Sequence, residues 1–329
     1  MLQDRIAEGV DQRGTEQPFL TVVMPLHEGS DWIAATLETL AREPAKGFEV
    51  IAIDSSPTTG TSGIAERFAD RLPLHLLRRP DLGPWPTKTN LAVELARTDY
   101  VCMLHQDDLW MRGRMDSVRR WVERAPDAVL HLAPSIFVDR NGKQLGPWHC
   151  PLPAEEELDR DLLLERLLVQ NFVSVPAPVI KRSAWLACGG MDDALWYTAD
   201  WDIWLKLGRA GPVIYHDEFT TGFRLHGSSL TVTGSRMADD FRSQMEIVLD
   251  RHLGGISGTR TTSIGQAARA SIAINVAIAA ASVGSRAPLL HALKTMISLG
   301  PAGMVRYLRD SRLLERVFSR LRAKFAGTF

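Results

Sequence analysis

Between residues 19 and 110 the chain alternates short, charge-poor apolar runs with segments of helical periodicity, and that alternation leaves few architectures open. Phe19-Leu20-Thr21-Val22-Val23-Met24, Phe48-Glu49-Val50-Ile51-Ala52-Ile53, Leu74-His75-Leu76-Leu77 and Tyr100-Val101-Cys102-Met103-Leu104 have the length of strands. The last is unbroken and uncharged, as suits a strand buried on both faces of a parallel sheet. Between the strands, Ile33, Leu37 and Leu40, then Ile64, Phe68 and Leu72, recur at helical spacing, and a third helix is expected over about Thr87–Ala96. Strands and helices in this order build βαβ units, hence an α/β fold with a mostly parallel sheet. Three strands end in polar clusters: Pro25-Leu26-His27-Glu28, Asp54-Ser55-Ser56 and His105-Gln106-Asp107-Asp108. In a parallel sheet these ends share one edge, where such sheets bind ligands. The adjacent carboxylates of Asp107 and Asp108 repel unless a cation, donors or water compensate them. A divalent metal is one reading of this pair and a solvated turn the other.

Composition excludes several function classes. A formal net charge of -1 gives no electrostatic case for nucleic acid as the main partner. Cys102, Cys150 and Cys188 lack CxxC spacing, which speaks against a zinc knuckle or a disulfide framework and fits a reducing, cytoplasmic setting. Residues 1–18 form a polar tail carrying Asp4, Arg5, Glu8, Asp11, Arg13 and Glu16, unlike a signal peptide. The most apolar segment, Ala268–Gly284, is interrupted by Arg269, Ser271, Asn275 and Ser282, so it reads as a packed helix rather than a membrane span. No GxGxxG follows the first strand and no GxxxxGK[ST] occurs, which disfavours dinucleotide dehydrogenases and P-loop ATPases.

Farther along, Ser30 or Asp31 is expected to cap the first helix, and Met115–Arg124 is amphipathic. Val129–Val138 reads as one strand, with Asp139-Arg140-Asn141-Gly142 as a hairpin-type turn. Helices are expected over Asp159–Val169, Ser183–Cys188 and Asp200–Leu207. Val173–Ile180 is extended, with Pro176 and Pro178 marking an edge or irregular strand, and Val213–Tyr215 is a strand. From Met237 onward the pattern is helical, with a Gly/Ser/Thr-rich joint at Gly254–Ser263.

Five landmarks in order resemble family 2 glycosyltransferases of the GT-A fold. They are Val22-Val23-Met24-Pro25-Leu26-His27-Glu28; Ile53-Asp54-Ser55-Ser56; Lys88-Thr89-Asn90-Leu91-Ala92; His105-Gln106-Asp107-Asp108; and Gly189-Gly190-Met191-Asp192 followed by Ala199-Asp200-Trp201-Asp202 and Arg224-Leu225-His226. The resemblance implies a Rossmann-like, mostly parallel sheet flanked by helices over residues 19–235, with a nucleotide-binding half (19–110) and an acceptor half (111–235). Residues 236–329 would then be a helical C-terminal extension. The chain departs from the family pattern at His105 and Ala199, where acids are frequent, and at Thr89, where arginine is common.

The resemblance also implies an inverting, metal-dependent transfer of a hexosyl or deoxyhexosyl unit from a UDP-, dTDP- or GDP-sugar to a glycan or lipid-linked glycan. Asp200 matches the general base. Pro25, His27, Glu28, Asp54, Lys88 and Asp107 match the nucleotide-binding positions, with Asp54 accepting from the base ring and Lys88 pairing with phosphate. Asp107, Asp108 and His226 match the positions around Mn²⁺ or Mg²⁺, and imidazole at His105 suits a transition metal better than Mg²⁺. Each residue has a plainer reading. Asp54 is placed to cap a turn, Lys88 to lie in solvent, His226 to bond loop backbone and Asp200 to stabilise a helix start. Asp202, two residues on, faces elsewhere on the helix and ranks below Asp200. Trp196 and Tyr197 are acceptor candidates, whereas Trp204 and Leu207 read as core.

Near the C-terminus, Arg306, Arg309, Arg312, Arg316, Arg320, Arg322 and Lys324 interleave with Leu308, Leu313, Leu314, Val317, Phe318, Leu321 and Phe325. This basic amphipathic pattern fits a helix on the anionic inner face of a membrane, or a helix packed on its own domain with a solvated basic face. Two rival functions remain at this stage: a catalytically silent nucleotide or sugar binder on the same fold, and a sugar nucleotidyltransferase. The latter lacks its usual glycine-rich basic loop after the first strand.

Overall fold

The computed structural model describes residues 17–44, 46–229, 237–255, 261–282 and 287–327. The N-terminal tail up to residue 16, and residues 256–260 of the expected joint, lie outside the described residues. The four early strands form as the sequence indicates: β1 (Leu20–Leu26), β2 (Phe48–Asp54), β3 (Leu74–Arg78) and β4 (Tyr100–Met103). They alternate with α1 (Ile33–Leu40), α2 (Gly60–Glu66) and α3 (Trp85–Leu95). β1 lies between β2 and β4, parallel to both, in register Val22 to Val50 and Val22 to Cys102. All seven residues of β1 are buried, as a central strand covered on two faces requires.

The sheet continues through β6 (Leu130–Leu132), β9 (Val179–Lys181) and β10 (Val213–Tyr215) in the order β10-β6-β9-β4-β1-β2-β3. β9 alone runs antiparallel, pairing with β4 on one side and β6 on the other. A second sheet holds β5 (Leu109–Trp110), β7 (Ser135–Val138), β8 (Gln144–Trp148) and β11 (Thr221–Arg224), ordered β5-β11-β7-β8.

Three local expectations change. The segment Val129–Val138 is two strands, because Pro134 cannot donate to a ladder and the chain passes there from the large sheet to the small one. Of the extended stretch before Ile180, only Val179–Lys181 is strand; Pro176 and Pro178 keep the rest irregular. Neither Ser30 nor Asp31 caps α1: its first residue follows Trp32, with no side-chain cap. By contrast, Asp159 caps the helix Arg160–Val169 (α5) by accepting from the Leu162 N–H at 2.8 Å.

The C-terminal helices are α8 (Ala238–Leu253), α9 (Thr261–Ser282), α10 (Ala287–Ser298), α11 (Gly300–Ser311) and α12 (Leu313–Phe325). Phe241, Met245, Val248, Ile264, Ala268, Ile272 and Val276 share one hydrophobic core with strand residues Val23, Ile51, Val101 and Leu130. Residues Thr261–Ala281 are long and apolar enough to cross a bilayer by length and composition, with mean hydropathy 1.3, yet 61% of that window is buried inside the protein.

One charged cluster ties α8 to the helix Ala199–Ala210 (α7). Asp202 is fully buried and receives Lys206 at 2.7 Å, Arg251 at 2.8 Å and His252 at 2.8 Å. Burial alone would raise its pKa, but the hydrogen bonds from His252, Lys206 and Arg251 outweigh burial and hold it below the usual carboxylate range. A depressed carboxylate stabilises the fold above its unfolded pKa, near 3.9, and loses that contribution as pH falls through its folded value. Asp202→Ala should therefore lower the unfolding free energy at pH 7 by about 3 kcal/mol, because it removes the shared buried partner of Lys206, Arg251 and His252. Urea melts at pH 7 and below pH 4 should show that the variant loses less stability across the acid range than the parent does.

Candidate active site

The three polar strand ends are fastened to one another. After β1, Glu28 adopts a left-handed backbone (φ 47°), and its N–H donates to Ser56 Oγ at 2.8 Å. The His27 N–H donates to Gln106 Oε1 at 2.9 Å while Gln106 Nε2 donates to the His27 carbonyl at 2.8 Å. A Cβ on Gly29 would collide with the Gln106 side chain, so this clamp requires glycine there. The Asp107–Asp108 turn is held from α1, where Thr36 Oγ1 lies 2.7 Å from the Gln106 carbonyl and 2.9 Å from that of Asp108.

From the small sheet, Arg224 closes the turn. Its backbone N–H donates to Asp108 Oδ1 at 3.0 Å, its Nε to the Asp107 carbonyl at 2.6 Å, and its Nη1 to the Arg140 carbonyl at 2.7 Å. The guanidinium also lies over the Trp32 ring, 5.3 Å from the centroid. His226 Nε2 sits 2.8 Å from Asp107 Oδ2 and its Nδ1 2.9 Å from Ser228 Oγ.

Among the described residues, His105, Asp107 and Asp108 each offer a ligand atom within 4.8 Å of the others. His105 Nε2 is buried without a hydrogen-bond partner, and its ring meets Trp85 edge-on at 5.0 Å. Burial lowers the His105 pKa, against the pull of Asp107, which favours the neutral, ligating imidazole. Burial and then the charge of Asp107 push Asp108 well above the usual carboxylate range. Burial would also raise Asp107, but the hydrogen bond from His226 and the nearby imidazoles keep it low. Two carboxylates and an imidazole with an unpartnered buried nitrogen fit a divalent cation of the Mn²⁺ or Mg²⁺ type.

A cavity of about 640 Å³ opens beside this cluster. Its lining brings together Pro25, His27, Glu28, Lys88, Asp107 and Asp108 from the first half and Trp196, Tyr197, Asp200 and His226 from the second. Asp54 stands apart. It is fully buried at the end of β2 and off the cavity wall; its Oδ1 accepts from the Ser56 N–H at 2.9 Å, while its Oδ2 has no partner. Lys88 is not solvated but 2% exposed, and its Nζ donates to the Leu26 carbonyl and to Ser55 Oγ, both at 2.8 Å. Burial lowers its pKa to about 8, with the charge of Asp54 opposing.

Asp200 lies in the first turn of α7, two residues past the cap position at Thr198. Its Oδ2 accepts from Asn171 Nδ2 at 2.9 Å and its Oδ1 from the Trp201 N–H at 2.8 Å. Burial raises its pKa to about 6 despite these bonds. Trp196 Nε1 donates to Asp240 Oδ2 at 2.7 Å, and the Trp196 carbonyl accepts from Trp85 Nε1 at 2.7 Å, tying the acceptor-half loop to α3. Asn90 does the same nearby, bonding both the N–H and the carbonyl of Met191 at 2.9 Å. Trp204 is fully buried core, as the sequence suggests.

Sequence reasoning missed Arg224 as the clasp of the acidic turn and Asn171 as the partner of Asp200. It also missed Arg316 and Arg320, which reach the cavity wall from α12. Isolated polar residues in loops and on a distant helix carry no spacing signal. The only available cue was a charge-rich α12 too basic for an ordinary solvated face.

Residues 21–175 match the family model described as Glycosyl transferase family 2. An uncharacterized glycosyltransferase of Rickettsia typhi is 19% identical over 236 residues, which cover 70% of this chain and 72% of that protein. The structure of S. aureus TarS 1-349 in complex with UDP-GlcNAc is similar at a TM-score of 0.53 and 13% identity, over 94% of this chain and 92% of that one. The mannosyltransferase PcManGT from Pyrobaculum calidifontis, in complex with GDP-Man and Mn2+, is similar at a TM-score of 0.54 and 16% identity, over 98% of this chain and 92% of that one. Residues 21–175 are thus similar to family 2 glycosyltransferases, and the chain has the GT-A fold of these two structures.

Proposed function

We propose that the chain transfers a hexosyl or deoxyhexosyl unit, with inversion, from a UDP-, dTDP- or GDP-sugar to a hydroxyl of a glycan or lipid-linked glycan. The reading rests on one observation: a single cavity holds the Asp107–Asp108 turn at one side and a carboxylate with a raised pKa, Asp200, at another. The two structural neighbours are complexes, one with UDP-GlcNAc and the other with GDP-Man and Mn2+, which supports a nucleotide-sugar donor here.

His105, Asp107 and Asp108 would hold Mn²⁺ or Mg²⁺, and such a cation neutralises charge on a departing nucleoside diphosphate. Arg224 keeps both carboxylates in place and His226 orients Asp107. Pro25, His27 and Glu28 form the wall that the donor nucleotide meets. Lys88 adds a buried positive charge behind that wall, while Asp54, buried off the cavity, holds Ser56 at the end of β2 rather than meeting the base. Trp196 and Tyr197 offer ring faces to the incoming sugar.

Asp200 acts as general base. Each of its oxygens already accepts one hydrogen bond, which fixes the carboxylate and leaves lone pairs for the acceptor hydroxyl. The hydroxyl oxygen attacks the anomeric carbon as its proton passes to Asp200, and the bond to the diphosphate breaks on the opposite face. A base with a pKa near the working pH balances ionisation against proton affinity.

The membrane contact expected of the basic helix takes a different form. On α12, Ser319 and Ala323 are buried and Arg316 and Arg320 line the cavity, while Arg322, donating to the Leu145 carbonyl, and Lys324 stay exposed. The face left outside carries Leu314, Phe318, Leu321 and Phe325, and α10 exposes Leu289, Leu290, Leu293 and Ile297. An exposed apolar ridge of this size is the kind of surface that enters a bilayer interface.

Four measurements test this reading. A thermal-shift screen of UDP, GDP and dTDP should find one nucleotide that raises the melting temperature with Mn²⁺ and loses that effect in EDTA or in Asp107→Ala; stabilisation indifferent to both would remove the metal. Asp200→Asn should lower turnover by roughly 10²–10⁴-fold with donor affinity kept. In the parent, kcat/KM should fall as pH drops through about 6, because Asp200 must be ionised to accept a proton. Vesicle co-sedimentation should recover the parent chain, and a Phe318→Ser/Phe325→Ser variant should stay in the supernatant.

A further inference from the structure

The wall of the cavity on the Asp200 side is built partly from the C-terminal helix α12, which lies beyond the family match. Arg316 and Arg320, one helical turn apart on α12, both line the cavity. Arg316 Nη2 donates to Asn275 Oδ1 at 3.0 Å, Asn275 Nδ2 donates to Gln170 Oε1 at 3.1 Å, and the next residue, Asn171, holds Asp200. The arginine pair is thus one short side-chain relay from the carboxylate read as the base.

What the pair lacks is an acid. Arg320 Nη1 donates to the Arg316 carbonyl at 3.2 Å, and among the described residues neither guanidinium has a carboxylate partner. Arg316 Nη1 is buried with no hydrogen-bond partner. Elsewhere among the described residues buried cations find acceptors, Arg114 in Thr220 Oγ1 and the carbonyls of Pro176 and Ala177, and Lys88 in the Leu26 carbonyl and Ser55 Oγ. Two adjacent guanidiniums withdrawn from water with no counter-charge are unfavourable unless something anionic joins them. Burial, then the neighbouring Arg316 charge, lowers the Arg320 pKa to about 10, in keeping with a cation short of partners.

We infer that Arg316 and Arg320 form an oxyanion subsite for the acceptor, and that the acceptor is a phosphate ester whose phosphate binds there while its hydroxyl meets Asp200. The inference rests on the glycosyltransferase reading only for the word acceptor. Two guanidinium forks match the two negative charges and three terminal oxygens of a phosphate monoester better than the single charge of a carboxylate. The donor diphosphate is the other anion in reach of the cavity, but its seat is the acidic turn beside Arg224, and Arg316 and Arg320 belong to the wall made by Tyr197, Asn275 and Gln170.

The test is a melting-temperature titration of the full chain with methyl phosphate, run with the donor site saturated by the stabilising nucleoside diphosphate and Mg²⁺. The parent should respond saturably and additively with the nucleotide. Arg320→Gln removes a guanidinium whose one hydrogen bond is to its own helix. That variant should need at least about tenfold more methyl phosphate for the same shift, the loss expected of a charge-assisted hydrogen bond. Its response to nucleotide should be unchanged, and Arg320→Lys should recover part of the phosphate response. A normal methyl phosphate titration in Arg320→Gln would overturn the subsite. So would displacement of methyl phosphate by nucleotide, which would give the arginines to the donor. Acetate as effective as methyl phosphate would overturn the phosphate assignment. If no nucleoside diphosphate stabilises the parent, the donor reading fails, while the arginine titration, run without nucleotide, is still read on its own.

Discussion

Everything at the centre of this protein depends on how Arg224 holds the Asp107–Asp108 turn. Two adjacent buried carboxylates repel, and the chain answers with the backbone N–H of Arg224 on Asp108 and its guanidinium on the carbonyls of Asp107 and Arg140. The carboxylate of Asp107 is left to His226 and that of Asp108 keeps one oxygen free of Arg224. The small sheet exists in the right place for this purpose: β11 pairs with β5 directly after the acidic turn and with β7 on its other edge. The turn therefore joins two sheets, and neither half of the molecule can move far without disturbing it.

The same sequence shows how environment divides the labour of two acids. Asp200 and Asp202 are two residues apart on one helix, and their surroundings push them in opposite directions. Asp202 meets Lys206, Arg251 and His252 and stays ionised as an internal counter-ion. Asp200 meets only an amide and a backbone N–H, so burial prevails and its pKa climbs to about 6. A carboxylate paired with two cations and an imidazole has little proton affinity left to offer; one held by neutral donors retains it. This contrast, rather than position on the helix alone, is the physical ground for placing proton transfer at Asp200.

How far the sequence reveals this architecture depends on the range of the forces involved. The parallel core was legible because burial on two faces imposes continuous apolar runs, as in β1 and β4, and because chain direction alone puts their ends on one edge. The site residues at those ends were legible for the same reason. The split of Val129–Val138 between two sheets was not, since both pieces satisfy the same local pattern and only Pro134 hints at a break. Asp54 was legible as a polar strand end, but its withdrawal from the cavity wall depends on the packing of Ser55, Ser56 and Lys88 around it. Arg224, Asn171 and the inward contacts of α12 depend on partners 29 to 177 positions away in the chain, which no spacing rule records.

The C-terminal helices show why an amphipathic pattern alone does not fix orientation. A helix with arginines on one side and leucines and phenylalanines on the other is ordinarily expected to bury the apolar side. Here α12 does the reverse: Arg322 reaches the β8 backbone, Arg316 and Arg320 reach the cavity, and Phe318 and Phe325 stand outside. That arrangement is stable only if the inward charges and the outward apolar face each find compensation. Hydrogen bonds to Leu145 and Asn275 supply part of the first. The remaining need on the inside is for an anion, and on the outside for an apolar surface. A phosphate-bearing acceptor carried on a lipid would meet both from one direction, since α12 forms the boundary between the cavity and the exposed ridge.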